Sequence, residues 1–236
     1  MTQSDTGSAF SYVISLGDNC CVGKWLQRLR LKKQSYPFDW LFSRADIVRD
    51  CLEDDFAKFL DKDNYRAPKG AKKCQHLVYL PKGHMFNHYN PLAQEDHYTY
   101  YVRCVQRFRK VMQSDARKLF VRIPGRLNNA ENNCAEARRL CAALSEKTKN
   151  FMLVTILYDA ACPDPYERLV DETNLVVFRF RTKTRPSVMS FPEAQENANM
   201  RKLMQEFRYD LKELVLDERV SDHTTPDLKN LPRGYV

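Results

Sequence analysis

Apolar positions along the chain fall into two spacings, and the switch between them marks out the elements. Tyr12-Val13-Ile14-Ser15-Leu16 is a short, mostly apolar run stopped by Gly17-Asp18-Asn19, the pattern of a buried strand. Behind it Val22, Leu26 and Leu29 recur at helical spacing. Trp25 stands beside them, and Lys24, Gln27, Arg28 and Arg30 lie opposite, so an amphipathic helix is expected. Asp18 or Asn19 is suited to cap that helix, which sets Cys20 in its first turn.

The same reading continues downstream. Ser43-x-x-Asp46 resembles a capping box ahead of a helix with Ile47, Val48, Cys51, Leu52 and Phe56 on one face. Residues 61–73 read as loop, His76 to Leu80 as a short strand, and 81–96 as a long loop carrying His84 and His88. Tyr98, Tyr101, Val105, Phe108 and Met112 stripe a third helix, with Arg103, Arg107 and Lys110 expected outward. Lys118 to Ile123 is a strand stopped by Pro124-Gly125, and Ala130, Cys134, Ala137, Cys141 and Leu144 stripe a fourth helix. Strands follow at Phe151 to Leu157 and Leu175 to Phe180, and Pro192 opens a last helix expected to reach about Val215.

This alternation predicts an α/β fold, a mostly parallel central sheet flanked by helices, in a single domain over 12–216. Residues 1–11 are expected to be a flexible N-terminus and 217–236 a polar tail. Sites on such sheets gather at the carboxyl ends of strands. Cys20, the loop after Arg122 and the loop after Tyr158 would then share one edge.

Composition narrows the function classes. Thirty-eight Lys and Arg against 30 Asp and Glu give a net charge of +8, but bases and acids are interleaved. Anionic ligands fit that balance, while a specific nucleic-acid surface does not stand out. No apolar run approaches the ~20 residues of a membrane span, and the polar start lacks a secretory pattern. A soluble, cytoplasmic protein is expected, its eight cysteines reduced and mostly buried. There is no P-loop and no G-x-G-x-x-G, and no cofactor is read from the sequence.

Cys20 is the exception among the thiols, because unpaired amides in a helix's first turn stabilise a thiolate and can hold a developing oxyanion. Such a nucleophile needs a base, and His88, in Met85-Phe86-Asn87-His88-Tyr89-Asn90, is the best placed histidine. Asp39 or Asn90 could orient it. Asn19, Arg122 and Asn90 are candidate substrate contacts; the planar fork of Arg122 suits a carboxylate or phosphate, or it could pair with Asp39. His84-x-x-x-His88 with Cys74-x-His76 has a spacing zinc accepts, but there is no C-x-x-C or H-E-x-x-H, so no metal site is assigned.

Three segments together carry a family resemblance. Ile14-Ser15-Leu16-Gly17-Asp18-Asn19-Cys20, then Leu26-Gln27-Arg28-Leu29-Arg30-Leu31, then Tyr36-Pro37-Phe38-Asp39-Trp40-Leu41 resemble the family described as putative papain-like cysteine peptidases (DUF1796), over roughly Tyr12 to Tyr158. The resemblance implies Cys20 as nucleophile and a downstream histidine, matched by His88, in a hydrolase acting on an amide or ester. The G-x-N-C turn also resembles the opening of a capsule-polysaccharide acetyltransferase family that binds coenzyme A. A glycan or acyl transferase is therefore the alternative reading, and a non-catalytic binding module the second alternative. The ligand expected is of peptide, acyl or glycan type.

Overall fold

The computed structural model describes residues 8–67, 69–125, 129–185 and 190–214. Fourteen segments are regular in these residues. They are β1 (Tyr12–Ser15), α1 (Cys20–Arg28), α2 (Ala45–Glu53), α3 (Ala57–Leu60), a 3-10 turn (Lys62–Asn64), β2 (Tyr65–Arg66), β3 (Gln75–His76), α4 (Glu95–Gln113), β4 (Lys118–Arg122), α5 (Ala130–Lys147), β5 (Phe151–Asp159), β6 (Tyr166–Glu172), β7 (Leu175–Arg181) and α6 (Ala194–Met204).

Five strands form one sheet in the order β1-β4-β5-β7-β6. β1, β4, β5 and β7 run parallel, and β6 returns antiparallel to β7 at the edge. The pleat sends alternate side chains to opposite faces. Ile14, Phe120, Leu153 and Val177 enter a core with α2, α4 and α5, whereas Val13, Leu119, Val121, Val154 and Phe178 enter a second core with α1 and α6. The fold is thus the expected α/β layering, helices on both faces of a mostly parallel sheet. Burying both faces explains why β4 and β5 read as continuous apolar runs.

Several local expectations are corrected. Phe10 is fully buried and pairs with the Arg208 to Lys212 segment, so it and Ser11 belong to the domain and not to a flexible N-terminus. The last helix ends at Met204 instead of running to about Val215, because Phe207 and Tyr209 turn back to pack on Phe10. Ser43 does not cap α2; its hydroxyl faces the Leu16 carbonyl at 3.5 Å, and the N-cap position is Arg44. Arg103 and Arg107 are buried, 7% and 5% exposed, because α4 is enclosed on more than one side. The strand expected from His76 stops at once, leaving Leu77 and Val78 exposed in a turn. The expected tail, 217–236, lies outside the described residues.

Among the described residues no helix is long and apolar enough to cross a membrane.

Candidate active site

The carboxyl end of β1 builds the site. Past Ser15 the chain continues alongside β4, with the Leu16 amide donating to Val121 O (2.9 Å) and the Ile123 amide to Gly17 O (3.3 Å). Gly17 then turns with φ +83°, and a Cβ there would stand 2.0 Å from the Ser43 hydroxyl oxygen. Only glycine tolerates both that backbone and that approach. Asn19 ends the turn: its Oδ1 accepts the Cys21 amide at 2.9 Å, capping α1 and fixing Cys20 as the first helical residue.

Arg122 and Asp18 hold this turn. The Arg122 side chain, 3% exposed, sets Nη2 3.3 Å from Asp18 Oδ1 and Nη1 3.2 Å from Glu136 Oε2. Asp18 Oδ2 accepts the Gly125 amide at 2.9 Å. Burial pushes the Asp18 carboxyl above its ordinary range, while Arg122 and the Gly125 amide pull it down. The guanidinium expected to meet substrate is instead enclosed between two carboxylates and braces the turn that carries Cys20.

Cys20 and His88, about seventy residues apart in the chain, come together. The thiol is half-buried at the head of α1, close enough to both Cys21 and His88 for each to act on its proton. Its pKa is lowered to about 5, first by the Cys21 thiol, against the opposing effect of burial, then by the hydrogen bond and charge of His88. The neighbouring Cys20 side chain, and after it burial, push the Cys21 thiol the opposite way, upward. Of the two thiols, Cys20 is the one that faces a histidine.

The segment Tyr36 to Trp40 brings His88 to this place. Cys20 and Gly23 lie three residues apart, on one face of α1. A Cβ on Gly23 would meet the Asp39 carbonyl oxygen at 2.8 Å, so the missing side chain is what lets the segment lie against the helix. Trp40, 4% exposed, then meets the His88 imidazole edge-on, ring centroids 6.2 Å apart at 81°. Asp39 itself does not touch His88. Its carboxylate takes the Lys32 ammonium and, at 2.7 Å, the Tyr36 amide. Burial raises its pKa, and Lys32 opposes that shift. Lys32 also stands 5.5 Å from the centre of the Trp40 ring.

The remaining candidates are engaged elsewhere. Asn90 Oδ1 accepts the Leu92 and Ala93 amides, both at 3.1 Å, and Nδ2 donates to Ala71 O at 2.7 Å, so this residue shapes the approach to α4. Of the weaker histidines, His97 accepts the Asn90 amide at 3.0 Å. His76 is buried with both ring nitrogens at backbone partners, the Lys58 carbonyl and the Tyr79 amide. Among the described residues no three His, Cys, Asp or Glu side chains gather as a metal site would require. Gly23, Trp40 and Cys21 were missed as parts of the site; a glycine inside a helix is a signal of close approach that was there to be read.

No curated protein and no solved structure matches the chain. A family profile matches residues 11–161, from the residue before β1 to just past β5, a span that holds Cys20, Gly23, Trp40, His88 and Arg122. The chain belongs to the family described as putative papain-like cysteine peptidases (DUF1796).

Proposed function

We propose that this protein is a cysteine hydrolase that cleaves an amide or ester through a thioester on Cys20, with His88 moving the protons. The observation that carries this reading is that Cys20 stands at the capped start of a helix with His88 near enough to draw its pKa down. A thiolate beside an imidazolium is a nucleophile beside an acid, which is the pairing acyl transfer from an amide needs.

The Cys20 thiolate attacks the carbonyl carbon, forming an S–C bond as the π pair moves onto oxygen. The Cys20 amide, one of the first-turn N–H groups without a helical acceptor, and Asn19 Nδ2 are the donors for that oxyanion. Asn19 Oδ1 is held by the Cys21 amide, and Nδ2 has no partner among the described residues. As the oxyanion collapses, His88 gives its proton to the leaving amine or alkoxide and the C–N or C–O bond breaks. Neutral His88 then takes a proton from water, which attacks the thioester, releasing the acid and the thiolate. Asp39 acts at one remove, anchoring Lys32 and the Trp40 segment that positions His88.

p-Nitrophenyl acetate tests this directly. The reading expects a burst of nitrophenolate equal to the enzyme, acetylated Cys20 in the tryptic map, and slower turnover as the thioester hydrolyses. Absence of both burst and acetyl-Cys20, with folding intact, would falsify it.

A further inference from the structure

The interleaving of bases and acids along the chain breaks down over one stretch. Between Asn64 and Gln94 stand Arg66, Lys69, Lys72, Lys73 and Lys82, and not one Asp or Glu. A stretch with one sign of charge sets up a positive field over its own surface. On that stretch β2 and β3 form a two-stranded ribbon with Tyr65 opposite His76 and Arg66 opposite Gln75. Tyr65 and His76 are buried, so the pleat turns Arg66 and Gln75 to the other face.

That outward face opens on a cavity of about 510 Å³ lined by Arg66, Ala67, Gln75 and His84. Its polar groups lack partners. Nδ1 of His84 is buried with no hydrogen bond. Among the described residues, neither the Arg66 guanidinium nor the Gln75 side-chain amide has a hydrogen-bond or ion-pair partner. A buried polar atom left unpaired is costly, so one beside two further unused polar side chains points to something that binds there.

We propose that this cavity is a phosphate-binding site, independent of whether Cys20 is a nucleophile. A cation is disfavoured by a stretch without acids, and an apolar group would leave all three polar side chains unpaired. The Arg66 fork grips two oxygens of an oxyanion side by side. Gln75 and the His84 ring supply donors from two more residues, which matches the three free oxygens of a phosphate better than the two of a carboxylate.

The test follows the ring signals of His84 by NMR, assigned with His84→Gln. Inorganic phosphate and, separately, phenyl phosphate are titrated at fixed pH, with chloride holding ionic strength constant. A saturable shift of the His84 signals, several-fold larger than that of His97 and lost in Arg66→Gln, is expected. Tighter binding of phenyl phosphate assigns the site to a phosphate carried on a larger ligand, and tighter binding of inorganic phosphate to the free ion. An unsaturable drift shared by all histidines, or an unchanged curve in Arg66→Gln, overturns the proposal. Arg66 is exposed, so its replacement leaves the core intact.

Discussion

Trp40 meets His88 edge-on at 6.2 Å between ring centroids, so the histidine beside Cys20 is packed by a buried indole and not by a carboxylate. Trp40→Phe keeps an aromatic ring but shortens it, leaving the His88 imidazole less well packed. The variant is expected to lose ~1–2 kcal/mol of stability. Its rate of Cys20 alkylation at pH 6 should fall several-fold while the rate at pH 9 is retained. Denaturant melts and iodoacetamide kinetics read the two effects separately. An unchanged rate at pH 6 would remove Trp40 from the positioning of His88.

Gly23 gives a sharper expectation because two rules oppose each other there. Glycine to alanine inside a helix ordinarily stabilises by about 1 kcal/mol. Here the added methyl would meet the Asp39 carbonyl oxygen at 2.8 Å and push the Trp40 segment off α1. Gly23→Ala should therefore destabilise the protein and slow Cys20 alkylation at pH 6. A gain in stability with unchanged alkylation would show that the segment is not seated by the glycine.

Arg122 braces the turn rather than greeting a ligand. Arg122→Met leaves Asp18 and Glu136 facing each other without their shared cation, and breaking such a buried pairing costs about 3–5 kcal/mol. Burial already raises the Asp18 carboxyl in the folded protein. A carboxyl with a raised folded pKa favours the fold at low pH and loses that contribution as pH rises through the folded value. The deficit of Arg122→Met should accordingly be larger at pH 7 than at pH 4.5, as urea unfolding at the two pH values would measure. Equal deficits would mean that these carboxylates do not carry the loss.

Elements with one dominant period were legible from the chain. The β1-to-α1 turn, the stripe of α5 and the apolar runs of β4 and β5 all express spacing that tertiary packing reinforces. What sequence could not supply was partnership across distance. Arg122 reads alike whether it faces ligand or Asp18. Asn90 reads as a possible orienter of His88 until both ends of its amide are found on Leu92, Ala93 and Ala71. Arg103 and Arg107 follow the polar side of a helical stripe, yet α4 is buried on that side too. Gly23 and Trp40 carry their meaning only once the segment and the helix are seen to touch.

The pH dependence of Cys20 alkylation tests the central claim, a thiolate held by His88, most directly. Iodoacetamide is reacted with the native protein from pH 4 to 10, and each cysteine is followed by mass spectrometry. In the wild type the Cys20 rate should rise with a midpoint at about 5. The buried thiols should lag far behind, since burial pushes Cys104 up to about 11 and Cys51 up to about 12. In His88→Ala the Cys20 midpoint should move up, part of the way toward the ~8.5 of a free thiol, because the Cys21 contribution remains. A wild-type midpoint already near that value, unchanged on removing His88, would contradict the account.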